Sequence, residues 1–120
     1  MSFDWREYLN LAAFLQTHTG NGFAREAALR SAASRAYYAA FCHARNYARD
    51  RQRFRPSGTV ADHADVIKHF RTRGDVRTSR GLERLRQWRN RCDYRDVVPN
   101  VANLVTSAIR GAQHVLDGLK

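Results

Sequence analysis

The chain has 120 residues, two cysteines, 43% hydrophobic residues and a formal net charge of +10. That length fits one domain spanning residues 1–120, large enough to bury roughly two thirds of its unfolded surface without disulfide or metal staples. No apolar run approaches the roughly 20 residues needed to cross a bilayer, so a soluble protein with no membrane partner is expected.

Helical periodicity and helix punctuation are the only regular patterns. Asp4 and Glu7 have capping-box spacing, and Phe3, Leu11, Phe14 and Leu15 supply an apolar side for a first helix ending before Gly20-Asn21-Gly22. From Phe23 to about Arg53 there is neither proline nor glycine, which predicts a long second helix. Ala33, Tyr37, Ala40, Ala44, Tyr47 and Ala48 fall on one side of it, small enough for another helix to approach closely. Arg35, Tyr38, Cys42, Arg45 and Arg49 lie opposite, leaving either side open to a second subunit. Phe54-Arg55-Pro56-Ser57-Gly58 is a break, after which Thr59 and Asp62 can cap a short helix carrying Val66, Ile67 and Phe70 and ending at Gly74-Asp75.

A fourth helix is predicted from about Thr78 to Asp93, with Leu82, Leu85, Trp88 and Cys92 as its buried stripe. Pro99 suits the first turn of a fifth. There Val101, Leu104, Val105, Ala108, Ile109, Ala112, Val115, Leu116 and Leu119 make a broad apolar face. No segment alternates with the period of a half-buried strand, so the expected fold is all-α, an up-and-down antiparallel bundle of four to five helices. Cys42 and Cys92 fall inside expected helices without CxxC spacing, and no signal-peptide pattern precedes them, which favours a reduced, cytoplasmic chain.

Positive charge is almost all arginine, lysine appearing only as Lys68 and Lys120. Between Arg71 and Arg95 nine arginines face Asp75, Glu83 and Asp93, a local field that favours a polyanion. Within it, Arg89 projects within about 50° of the buried stripe of its helix, where a guanidinium needs a carboxylate, a phosphate or a second subunit. Arg89 and Asp93 are one turn apart, and Asn90 and Tyr94 form the adjacent line. On the long helix Arg30, Ser34 and Tyr38 form a similar line at one-turn spacing, with Arg35 beside it. Hydrogen bonds between packed helices account for such clusters as readily as a ligand does.

The motif Ser34-Arg35-Ala36-Tyr37-Tyr38-Ala39-Ala40-Phe41, followed some fifty residues later by Arg89-Asn90-Arg91-Cys92-Asp93-Tyr94, resembles the HEPN family of small helical prokaryotic proteins. The resemblance runs from roughly Phe23 to Leu119 and includes Asp65-Val66-Ile67-Lys68-His69-Phe70 between the motifs. It implies a helical bundle that dimerises, works beside a nucleotidyltransferase in toxin-antitoxin or defence systems, and binds or cleaves RNA without metal or cofactor. Arg89, Asn90, Asp93 and Tyr94 then become the catalytic candidates, and Arg30, Ser34, Arg35, Tyr38, Arg86 and Arg91 the candidates for holding RNA.

Catalytic family members follow the arginine four to six residues later with a histidine, whereas this chain has Asp93-Tyr94 and then Arg95. The ending resembles a family branch in which the aspartate-tyrosine pair replaces the histidine. Metal-free RNA cleavage needs a base near the 2′-hydroxyl, and a phenol with pKa near 10 is a poor one at neutral pH. Of the scattered histidines 18, 43, 63, 69 and 114, His43 and His63 are the alternatives for that base, and no set has the spacing of a metal site. A noncatalytic module that clamps a nucleotidyltransferase or another protein is the competing expectation. A general basic nucleic-acid binder is a third, without helix-turn-helix or zinc-finger signatures.

Overall fold

The computed structural model describes residues 2–18 and 24–120, so the expected start at Phe23 and the Gly20-Asn21-Gly22 break lie outside the described residues. The described residues form an all-α, up-and-down bundle of five helices: α1 (Arg6–Gln16), α2 (Arg25–Arg51), α3 (Ala61–Thr72), α4 (Val76–Tyr94) and α5 (Val101–Gly118). Its extents are 45 × 31 × 25 Å. None of these helices is long and apolar enough to cross a membrane.

Helix α2 is the axis on which the others pack, with α1, α3, α4 and α5 all against it. Its alanines explain how. Ala33, Ala40, Ala44 and Ala48 are buried as the predicted stripe requires, but Ala28, Ala32, Ala36 and Ala39 are buried as well. A central helix is apolar on several sides, so a single stripe is too narrow a description of it. Tyr37 is wholly buried, and Cys42, expected on the opposite side, is buried too. Both cysteines are free, and burial pushes both thiols above their ordinary pKa.

The buried apolar residues of α3 (Val66, Ile67, Phe70), α4 (Leu82, Leu85, Cys92) and α5 (Val105, Ala108, Ala112, Val115, Leu116) fall on the helical stripes read from spacing, whereas Trp88, Val101, Leu104 and Ile109 of those stripes are only partly buried. Helix α1 differs: Leu9 and Ala12 are its buried residues, while Phe3, Leu11 and Phe14 are exposed. Phe3 is instead drawn into an edge-to-face cluster with Trp5 and Tyr8, centroids 4.9 and 5.4 Å away. The Asp4 carboxylate accepts from the Arg6 N–H, whereas Glu7 turns to Asn10 and does not close a capping box.

Helix ends are fixed by specific groups. Gly74, at φ 82°, ends α3 in a Schellman motif in which the Gly74 N–H donates to Arg71 O and the Asp75 N–H to Phe70 O. Asp75 then caps α4, its carboxylate accepting from Thr78 N at 3.0 Å. Ahead of α3, Thr59 Oγ1 accepts from Ala61 N, but Asp62 reaches back into the preceding loop to accept from Ser57 and Gly58. Pro99 stands two residues before α5, and the chain enters that helix through Asn100 in the left-handed region at φ 54°.

Arg30, expected to face a ligand, closes the C-terminal end of α4. Its guanidinium donates to the carbonyls of Cys92 (3.1 Å), Arg95 and Asp96 (3.0 Å), and its Nε pairs with Glu26. A charged donor on several otherwise unpaired carbonyls is worth more than an exposed ion pair. Arg30→Ala is therefore expected to lower the unfolding free energy by about 2 kcal/mol in urea denaturation. Glu26→Gln should cost less than about 0.5 kcal/mol, and equal costs would place the stabilisation in the ion pair instead.

Candidate nucleic-acid interface

A cleft of about 580 Å³ opens where α2, α4, the start of α3 and the Trp5–Tyr8 segment meet. From α2 come Ser34, Arg35, Tyr38 and Arg45; from α4 come Arg89 and Asp93. The two sequence motifs, some fifty residues apart, thus share one surface because α2 and α4 pack side by side.

Arg89 is the hinge of the arrangement. Its side chain is 17% exposed, and Nη2 donates to Tyr38 Oη at 2.9 Å while Nη1 donates to Asn90 Oδ1 at 3.0 Å. Nε lies 2.9 Å from Asp93 Oδ2, yet its N–H does not point at the carboxylate and is buried without a hydrogen bond. The contact is Coulombic. The guanidinium also lies against two tyrosine faces, 5.3 Å from the Tyr38 centroid and 5.4 Å from that of Tyr94. Asp93 Oδ2 in turn lies 3.5 Å from Ser34 Oγ, the hydroxyl donating.

Arg35 crosses the cleft wall, 4.7 Å from the Tyr8 centroid and 5.3 Å from that of Tyr38, and Arg45 lies 5.8 Å from the Trp5 ring. Three guanidinium groups therefore face Asp93 and Asp62, and Asp62 is already committed to the Ser57-Gly58 loop. Those loop hydrogen bonds, Ser57 foremost, hold its carboxyl below the usual carboxylate range. The cleft keeps an excess of positive charge over aromatic walls.

His63, from the first turn of α3, enters this cleft. Its ring stacks on Phe41 at 4.4 Å between centroids and 16° between planes, and Nδ1 hydrogen-bonds the Tyr37 hydroxyl. Nε2 makes no hydrogen bond within the described residues. The tautomer with its proton on Nδ1 donates to Tyr37 and leaves a lone pair at Nε2, whereas the other tautomer reverses the roles. Burial first, then the Arg86 and Arg89 charges, hold His63 below the ordinary histidine pKa, with Asp62 opposing. Burial pushes the Tyr37 phenol well above its usual value, so it stays protonated beside the imidazole. A neutral imidazole beside a fixed guanidinium can accept a proton from a hydroxyl whose phosphate the guanidinium holds.

Other candidate residues stand elsewhere. Asn90, Tyr94 and Arg91 line a separate depression along α4, where Tyr94 is 71% exposed. Arg86 faces α3 beside Ile67 and Asn90 and touches the cleft only through its field. His43 bonds the Leu119 carbonyl at 2.6 Å, away from Arg89. Trp5 and Tyr8 line the cleft without any signal in the sequence that makes them site residues, since nothing in local spacing links the start of the chain to the motifs, whereas Arg45 lies on the side of α2 that carries Arg35 and Tyr38 and is legible from that spacing. Among the described residues, no three His, Cys, Asp or Glu side chains gather as a metal site requires. The chain matches no family model, no curated protein and no solved structure.

The charges around His63 give a direct test. Arg86→Ala removes a cation that disfavours the imidazolium, so the His63 titration midpoint followed by ring NMR should rise; a midpoint that stays or falls contradicts this environment. Because the folded-state pKa is depressed, the unfolded chain takes up the proton first as pH falls. The stability held by neutral His63 is complete above about pH 6.5 and declines below it, and Arg86→Ala should narrow that window of loss.

Proposed function

We propose that the chain is a HEPN-type RNA-directed component of a toxin-antitoxin or defence module that cleaves RNA without a metal. The observation that carries the reading is the convergence of Arg89 with a histidine, His63, delivered from α3 rather than from the α4 motif. In this reading the Arg89 guanidinium binds the scissile phosphate, aided by Arg35. Nε2 of His63 takes the 2′-hydroxyl proton, the 2′-oxygen attacks the adjacent phosphorus, and the P–O5′ bond breaks. The products are a 2′,3′-cyclic phosphate and a 5′-hydroxyl that draws its proton from water. Asp93 and Tyr38 orient Arg89, while Asn90, Tyr94 and Arg91 offer the strand contacts outside the cleft. A cytoplasmic homodimer and a nucleotidyltransferase partner belong to the same reading, with exposed Tyr94 and Val97 as apolar surface beside the motif.

Purified protein in EDTA should cut single-stranded RNA to fragments ending in cyclic phosphate. Arg89→Ala and His63→Gln should each slow cutting by about 10²-fold or more at unchanged helical content. Undiminished cutting by either variant would remove that residue from the chemistry.

One observation favours a second reading, a noncatalytic module that clamps a protein partner. All three Arg89 nitrogens already have neighbours in Tyr38, Asn90 and Asp93. In that case the wild type cuts nothing, and Arg89→Ala lowers the unfolding free energy by about 1 kcal/mol or more.

A further inference from the structure

A second concavity, of about 440 Å³, lies between α4 and α5. Arg77, Arg80 and Arg84 line it from α4, and Arg110 and His114 from α5. The three α4 arginines stand at i, i+3 and i+7 on one face, so their charges climb about 10 Å of helix axis. All four arginines are exposed, and among the described residues none has an ion pair or hydrogen-bond partner. No carboxylate lines the groove. Arg30, Arg49, Arg71 and Arg89 each meet an acid, whereas the four arginines of this row share one groove with no carboxylate among them.

The floor differs from that of an ordinary basic patch. Gly81 and Gly111 stand where side chains would fill the groove: a Cβ on Gly81 would meet Val115 at 3.0 Å, and one on Gly111 would meet Leu85 at 3.7 Å and Trp88 at 3.8 Å. Half-buried Trp88 closes one end, an aromatic ring beside the cation row. Counting 100° per residue, the arginine row lies roughly 150° around α4 from Arg89, so groove and cleft flank the buried stripe on opposite sides.

We propose that the α4–α5 groove binds a single nucleic-acid strand, with phosphates along Arg77, Arg80, Arg84 and Arg110 and a base stacked on Trp88. A cation row alone would accept any polyanion. The aromatic ring within it favours a strand with bases over an acidic peptide, because stacking on an indole serves every base. The proposal rests on the preceding reading only for the choice of RNA as the strand.

The test uses the full chain with Trp5→Phe, so that tryptophan emission comes from Trp88 alone, and 2′-O-methyl oligouridine of twelve nucleotides as an uncleavable probe. Binding should quench Trp88. Arg80→Gln/Arg84→Gln/Arg110→Gln should weaken affinity tenfold or more and flatten the salt dependence by about two units, at roughly 0.7 for each single-strand phosphate that no longer meets a guanidinium. A control removing three exposed arginines elsewhere, Arg6→Gln/Arg49→Gln/Arg55→Gln, should change affinity far less. Equal losses in the two triple variants would reduce the effect to net charge and overturn the proposal, as would quenching by oligoglutamate as strong as by oligouridine. Cleavage plays no part in this readout, so failure of the nuclease reading and failure of the groove are separate results.

Discussion

A guanidinium held inside a helix-packing seam is the constraint around which the molecule is arranged. Arg89 sits at the edge of the buried stripe of α4, 17% exposed, where an unpaired charge would be costly. Tyr38 on the neighbouring helix, Asn90, and Asp93 one turn along α4 meet it there. Because the three contacts come from two helices, Arg89 is fixed relative to α2 as well as to its own backbone. The guanidinium is thereby held in one orientation in the cleft lining, and such preorganisation is what an electrostatic role at a phosphate requires.

Alanines on α2 make the seam possible. With Ala28, Ala32, Ala36 and Ala40 buried, neighbouring helices approach the α2 backbone closely enough for side chains from α1, α3 and α4 to converge at one end. Asp62 pins the loop that precedes α3 by accepting from Ser57 and Gly58, and the next residue is His63. The imidazole is therefore placed by a loop clamp, by stacking on Phe41 and by Tyr37, three supports that do not depend on Arg89. Two cationic surfaces result on α4: a cleft where Arg89 is paired with Asp93, and a groove whose arginines meet no carboxylate.

Helix number and the stripes of α3, α4 and α5 are legible in the sequence because 3.6-residue periodicity directly reports which face is buried. The α1 face is not, since Leu11 and Phe14 are apolar yet exposed and short amphipathic segments admit more than one stripe. Arg30 shows a different limit. Its i, i+4 relation to Ser34 predicts a shared face, but the carbonyls it closes at Cys92, Arg95 and Asp96 are some sixty residues away and invisible to local spacing. The Arg89–Asp93 pair is readable because it is local. The approach of His63 to Arg89 is not, because it depends on the loop geometry around Pro56 to Asp62 and on how α3 lies against α2.

The central claim is that Arg89 and His63 address one phosphodiester in its reacting geometry. A complex of uridine with vanadate, whose five-coordinate vanadium resembles the transition state of cyclisation, isolates that claim from product release and strand binding. If the account holds, the wild type binds uridine–vanadate about 10²-fold or more tightly than uridine monophosphate, and that excess disappears in both Arg89→Ala and His63→Gln. No preference for vanadate in the wild type, or a preference retained by His63→Gln, would contradict it.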